Sequence, residues 1–418
     1  MRPLRILLVN PPIFDFTAYD FWLRPYGMMR VAGQIPDSCD LSFFDFLMTH
    51  KQDAWGRGRF SQIDVPKPAP LRDIPRNFHR FGKPRQDFHE FLRMQSFDVV
   101  LIQTLMSYWY TGVREVIEDV RTLQPSARIV LGGVYATLCP SHARSLGADL
   151  VIEGSVLDPL WRFLSITPKA GILYWPPEYT NVGVMKISEG CPFQCTYCSA
   201  PLLWPGFSER PTLDCLDELT HLVSMGVKNI AFYDDALLYR ADRALIPFLE
   251  VVIRNKVKVL FHTPNALNAR FMTPDLARLM VQAGFASFFF GLESHDSLWQ
   301  RSTGGKIASS EFTAAATYLR AAGAKSIVAY IIVGHPDQDA QDLESTIRFA
   351  HQCGAKVLLS EFSPIPGTVD GNKSAHWADM SEPLSHNKTA FSIRRLGAAY
   401  LNHLKGLSHS LNSRLKTV

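Results

Sequence analysis

Val182–Pro201 reads VGVMKISEGCPFQCTYCSAP, a short apolar run followed at once by Cys191, Cys195 and Cys198 in CxxxCxxC spacing. The run has the make-up of a buried strand, which puts the cysteines on the loop at its carboxyl end. The chain holds seven cysteines, and the other four (Cys39, Cys139, Cys215 and Cys353) are scattered. An odd, dispersed set does not suit a disulfide framework, whereas clustered thiols in a reducing compartment are commonly metal ligands. A 4Fe–4S cluster is held by thiolates, normally four. Three on one loop hold three irons and leave the fourth open to a small chelator, such as the amino and carboxylate groups of S-adenosylmethionine (SAM). The rival is a zinc site on Cys195, Cys198 and a distant ligand such as Cys215. Structural zinc wants four protein ligands, often from paired CxxC elements. No second CxxC occurs, and the nearest histidines, His142 and His221, lie well outside the loop.

Downstream, apolar runs alternate with helix-like stretches. NIAFYDD, KVLFHTP, ASFFFGLE, SIVAYIIVG and KVLLSEF read as strands, and LDELTHLVSMG, PDLARLMVQAG, FTAAATYLRAAG and LESTIRFAHQCG as helices. Over 178–370 this predicts a partial (β/α)6 barrel of parallel strands with its active site at the strands' carboxyl ends. The remainder, 371–418, is polar and then helical.

Upstream, residues 1–170 show a second alternation. LRILLVN, DLSFFDFL, FDVVLIQTL, ARIVLGGV and ADLVIEG are nearly continuous apolar runs, as in strands buried on both faces. Thr111–Gln124 reads as an amphipathic crossover helix. The pattern predicts an α/β, doubly wound, flavodoxin-like parallel sheet whose ligands sit at the strands' carboxyl ends. Residues 51–93 interrupt it with five prolines and ten Lys or Arg against five Asp or Glu. They read as a solvated insertion or as a basic flap for an anionic substrate. A Pro/Gly-containing linker, Pro168–Pro177, separates the halves.

With 43 Lys and Arg against 39 Asp and Glu, the composition gives no global case for nucleic acid or an acidic membrane. The first apolar run, Ile6–Val9, is too short for a signal-peptide core, and later runs are too short to span a bilayer. The expectation is a cytoplasmic protein without nucleic-acid or membrane partners.

The cysteine loop and the elements after it resemble the radical SAM superfamily over about Asn181 to Thr368. The resemblance implies reductive cleavage of SAM by a cluster on Cys191, Cys195 and Cys198. It also implies that Tyr197, before the third cysteine, packs on SAM's adenine. Asp234 and Asp235 stand where the family often carries Gly-Gly-Glu, which binds SAM's amine; here the run is Tyr-Asp-Asp, and a helix cap is the other reading. Glu293, in Gly291–Ser294 (GLES), is expected close to SAM, or in a salt bridge to Arg301, itself a candidate SAM contact. Gly334 opens GHPDQ, a turn where backbone approaches SAM, although Tyr330 stands near where the family often has an earlier glycine. His262 and His335, at strand ends, read as acid–base groups or as structural hydrogen-bonders.

The first half resembles the cobalamin-binding domain that many radical SAM proteins carry. Thr104-Leu105-Met106 matches a Ser/Thr-x-Leu-like turn, and Gly132-Gly133 ends the next strand, where small residues let a nucleotide tail pass. Families that ligate cobalt from below carry Asp-x-His-x-x-Gly after the first strand; here the chain reads NPPIFDFTAYDFW, with no histidine before His50. Either cobalamin binds without a histidine ligand or the domain has lost it. The pairing implies a transferase, a cobalamin-dependent methyltransferase acting on an unactivated carbon of a small-molecule substrate, served by a reductant such as flavodoxin or ferredoxin. The alternatives are a cobalamin-independent radical enzyme (rearrangement, cyclisation or oxidation) and a zinc-stabilised binding module.

Overall fold

The computed structural model describes residues 2–49 and 51–415, so His50 lies outside the described residues. The chain forms two compact units: Met1–Glu178 with Asp379–His386, and Tyr179–Ala378 with Asn387–Val418.

In the first unit, β1 (Arg5–Asn10), β3 (Asp40–Asp45), β6 (Val99–Thr104), β7 (Arg128–Gly133) and β8 (Leu150–Ile152) form a parallel sheet in the order β3-β1-β6-β7-β8. Counted within the sheet this is 2-1-3-4-5, the flavodoxin-like order, whose ligand crevice lies where the order reverses. Ile6, Leu7, Leu8 and Val9 are fully buried, which explains the unbroken apolar run of β1. A second, antiparallel sheet joins β2 (Ile13–Asp15) to β5 (Phe78–Phe81) and β4 (Gln62–Val65). The 51–93 segment therefore supplies two strands, and the helix Arg85–Met94, to this unit. Two of its cations find acids on the helix Tyr110–Leu123: buried Arg80 pairs with Glu115 at 2.7 Å, and the more exposed Arg85 with Asp119 at 2.6 Å.

In the second unit, β9 (Val182–Met185), β12 (Asn229–Phe232), β13 (Leu260–His262), β14 (Phe285–Glu293), β15 (Ile327–Val333) and β16 (Lys356–Glu361) run parallel in unbroken sequential order. Helices intervene as each crossover requires, among them Thr212–Ser224, Pro274–Ala283, Ser309–Ala321 and Ala340–Gln352. Phenylalanines fill the interior; Phe232 stacks on Phe285 with centroids 5.6 Å apart. A short hairpin, β10 (Ser188–Gly190) with β11 (Phe207–Glu209), brackets the cysteine loop. At the far edge, the Asn412 amide donates to the Val357 carbonyl and accepts from its N–H at 2.8 and 2.7 Å. The helix Ala398–Arg414 thereby satisfies part of an edge strand that would otherwise be open. No helix among the described residues is long and apolar enough to cross a membrane.

Candidate active site

The six parallel strands of the second unit deliver the candidate residues to their carboxyl ends. Cys191, Cys195 and Cys198 are free and half-buried on the loop after β9 and β10. The Ala200 N–H donates to Cys198 Sγ at 3.4 Å, a contact that steadies a sulfur ligand. Burial pushes all three thiols above the ordinary cysteine range. Among the described residues, no three His, Cys, Asp or Glu side chains converge as the ligands of a single ion would. Cys215, the candidate fourth zinc ligand, is buried against the Lys186 carbonyl. An iron–sulfur cube takes one thiolate at each iron and spreads its ligands wider than a lone ion does, so this donor set fits the cluster and not zinc.

Two long-range contacts anchor the loop. The Thr196 N–H donates to the Thr303 carbonyl at 3.2 Å. Thr196 Oγ1 donates to Asp370 Oδ2, and the Asp370 N–H returns a bond to the Thr196 carbonyl at 3.1 Å. Asp370 Oδ2 also accepts from His335 Nε2 at 2.9 Å, with both side chains wholly buried. The Asp337 N–H donates to His335 Nδ1, which leaves the ring proton on Nε2, facing Asp370. Burial works against the charge on Asp370, but His335 and Thr196 overcome it and hold the carboxyl at about 2. Both nitrogens of His335 are thus engaged, which favours a structural over an acid–base role.

Glu293 sits at the end of β14 just past a register shift, with φ +63°. A left-handed backbone at a non-glycine residue costs energy and is typical of functional sites. Burial raises its carboxyl above the ordinary range, while Lys306, 3.8 Å away, pulls it down. Lys306 is the cation that the sequence reading missed. Arg301, the salt-bridge partner expected for Glu293, is exposed and its pairing is not formed. Burial opposes the charge on Lys306, but Glu293 and then Cys195, Cys198 and Cys191 hold it above the ordinary lysine range. Gly291 makes the pair possible: a β-carbon there would strike both Glu293 Oε1 and Lys306 Nζ.

The paired aspartates separate. Asp234 is buried, and one oxygen accepts from the N–H groups of Ile187 and Ser188 and from Ser188 Oγ at 2.6 to 3.0 Å. Burial lifts its carboxyl to about 6 against those bonds. It ties down the strand exit ahead of the cysteines. Asp235, more exposed, lies 3.4 Å from Lys186 and raises the Cys191 and Cys198 thiols by its charge. Tyr197 stacks on Trp299, with centroids 6.0 Å apart and planes 15° off parallel. Gly334, with φ +86°, faces Ser392 so closely that a β-carbon would collide with it. His262 is buried, its nitrogens 2.8 and 3.1 Å from Ser287 Oγ and Asn229 Oδ1. It is a structural hydrogen-bonder.

In the first unit a cleft at the β1/β6 switch point is lined by Asn10, Pro11, Pro12, Leu105, Met106 and Trp109, among others, with no histidine among the described residues. Met106 is 42% exposed. Thr104 is buried, donating to the Gly132 carbonyl and accepting from the Ala136 N–H. Gly133 has φ +113°, and a β-carbon there would run into the Thr104 backbone. Gly132 stays open, with no heavy atom nearer than 3.9 Å to such a carbon. Gly132, at the carboxyl end of β7, and Met106, just past β6, leave those two strand ends uncrowded.

Comparison with known proteins places this arrangement. Residues 185–350 match the Radical SAM superfamily. The second unit therefore carries a match to the radical SAM domain over residues 185–350. It is 27% identical over 193 residues to an uncharacterized methyltransferase of Pyrococcus horikoshii, covering 44% of this chain and 40% of that one. It is 24% identical over 331 residues to an uncharacterized methyltransferase of Synechocystis sp., covering 71% and 53%. The chain thus spans about half the length of these curated relatives. Its fold is that of the radical SAM methyltransferase TsrM from Kitasatospora setae, solved with cobalamin and a [4Fe-4S] cluster bound, at TM-score 0.66 and 13% identity, covering 90% of this chain and 75% of that one.

Proposed function

We propose that this chain is a cobalamin-dependent radical SAM methyltransferase acting on an unactivated carbon of a small molecule. One observation carries the radical half: three thiols on a single loop at the carboxyl end of the first of six parallel strands, with no side chains among the described residues arranged to complete a single-ion site. The methyl-transfer half is supported by the flavodoxin-like unit, with its open glycine at the carboxyl end of β7, and by the shared fold with TsrM. A 4Fe–4S cluster on Cys191, Cys195 and Cys198 would supply the electron that breaks SAM's sulfonium bond, and cobalamin, when bound, a carrier for the methyl group.

The chain's own residues would then act as follows. Asp235 offers a carboxylate to SAM's amine, and Lys306 a cation to its carboxylate. Glu293 fixes Lys306, and Tyr197 packs on the adenine. Met106, Gly132 and Gly133 line the path of the cobalamin tail, with Thr104 holding the two turns together. Arg301, being exposed, is given no role. Among the described residues, the lining of the switch-point cleft offers no imidazole to cobalt, which favours cobalamin held without a histidine ligand. A flavodoxin or ferredoxin is the class of electron donor required.

The test is anaerobic purification with cobalamin present, followed by iron, sulfide and cobalt analysis and by assay of 5′-deoxyadenosine. About four irons with matching sulfide, lost when the three cysteines are replaced by alanine, is the expected result. Roughly one zinc without sulfide would overturn the radical reading. Iron and sulfide without cobalt would remove methyl transfer and leave the cobalamin-independent alternative.

A further inference from the structure

Asp370 stands on the short helix Val369–Lys373, after the last strand and far in sequence from the cysteines. Its side chain is 0% exposed, as is that of His335. Three chain segments meet on it: the cysteine loop through Thr196, the turn after β15 through His335, and its own helix through Lys373 at 3.0 Å. The contact with Thr196 is reciprocal, side chain to carboxylate and backbone N–H to carbonyl, so the loop is held at two atoms of one residue. Thr196 lies between two of the three cysteines and next to Tyr197. His335 continues the arrangement: its ring meets Trp299 edge-on at 5.2 Å and Tyr197 at 6.4 Å. Phe362 closes the other side at 5.0 Å.

Burying a carboxylate this completely is costly unless it is fully bonded. A folding requirement alone would be met by an apolar contact at the same place. What a charged, bidirectional clasp adds is angular definition of a loop that otherwise has no regular structure. We propose that Asp370 is a positioning residue for SAM cleavage: through Thr196 and His335 it fixes the segment between Cys195 and Cys198, together with the ring of Tyr197, in the orientation that cleavage requires. This rests on the radical SAM reading of the cysteine loop. The contacts of Asp370 and His335 run to Thr196 and to the rings of Tyr197 and Trp299, so they act through those groups.

The test uses the full-length, anaerobically reconstituted protein with SAM as the probe. Thr196→Val keeps the side-chain shape and removes the hydroxyl; Asp370→Asn keeps an acceptor oxygen and removes the charge. Both variants should retain wild-type iron and sulfide. The 5′-deoxyadenosine rate at saturating SAM should fall on the order of tenfold, the expected scale for losing one charge-assisted bond at a positioned group. KM for SAM should move less than kcat, and the change that SAM induces in the reduced cluster's paramagnetic resonance spectrum should be altered. Thr196→Ser should restore both readouts, which a purely structural loss of packing would not allow. Variants within twofold of wild type in rate and spectrum would overturn the positioning role. Failure of the wild-type protein to cleave SAM at all would instead overturn the radical reading, so the two failures are distinguishable.

Discussion

Replacing Lys306 by methionine removes the cation beside Glu293 while keeping a side chain of similar length. The two groups lie 3.8 Å apart, with side chains 19% and 10% exposed, so the carboxylate would be left largely out of water without a counter-charge. At an effective dielectric of about 20, the lost attraction is roughly 4 kcal/mol. Protonating Glu293 offers an escape. From the ordinary glutamate value of 4.5 that costs about 3.4 kcal/mol at pH 7. Here it costs less, because burial already raises the Glu293 value and the downward pull of Lys306 is gone. The net penalty at neutral pH is therefore about 2–3 kcal/mol, or on the order of 4–12 °C in the apparent Tm of a unit this size. The sign with pH follows from linkage. A carboxyl whose folded value is raised keeps its stability below the unfolded value and loses it as pH rises through the folded one. The deficit of K306M should thus be small near pH 4.5 and grow toward pH 7.5. K306M/E293Q should recover most of it and lose the pH dependence. Thermal unfolding of the apo protein, followed by circular dichroism at both pH values, reads this directly. A deficit equal at both pH values, or untouched by E293Q, refutes the pairing.

Asp234→Asn should flatten a second pH slope. Burial lifts this carboxyl to about 6, so the wild type loses stability as pH rises through that value, by at most about 3 kcal/mol, and the amide, still an acceptor for Ser188 and Ile187, does not; urea midpoints at about pH 5 and pH 8 compare them. Gly133→Ala puts a β-carbon on the Thr104 backbone at φ +113°, which should cost the first unit roughly 2–4 kcal/mol and weaken cobalamin retention in a gel-filtration assay. His262→Ala should take the imidazole partner from Ser287 Oγ and Asn229 Oδ1 and leave a cavity beside them, at about 3–5 kcal/mol, yet leave the pH profile of SAM cleavage unchanged where the protein remains folded. A shifted profile would restore His262 as an acid–base group.

The strands were legible because parallel sheets are buried on both faces. FASFFFG has no polar alternation to misread, and all nine residues of β14 are buried. The cysteine triad was legible for a different reason: its ligands are local, so spacing alone carries the geometry. The 51–93 segment was legible only as an interruption. Its charges read as solvated or as a flap because sequence does not show where an arginine finds its acid, and Arg80 finds Glu115 thirty-five positions away. The pairing of β2 with β5 is hidden likewise, since β2 is only three residues long. That pairing also gives the first strand's departure from Asp-x-His-x-x-Gly a physical setting. The chain leaving β1 enters an antiparallel sheet at Ile13, so the stretch just past Asn10 is spent on Pro11, Pro12 and strand residues.

The site's supporting groups were invisible for a reason that separates ligands from positioners. The Tyr-Asp-Asp run offers two acids with identical chemistry just past the end of their strand, and only their contacts tell them apart. Asp234 is spent on the Ile187 and Ser188 backbone, while Asp235 is the more exposed and faces Lys186. Lys306 and Asp370 have no local pattern at all: one follows a glycine pair, the other a Thr N-cap. Each is defined by what the fold brings to it, Glu293 from the preceding strand and Thr196 from 174 positions away. Chemistry written in adjacent cysteines can be read from the chain. The groups that orient it are written in the order of the parallel strands, and become residues with a role only once that order is in place.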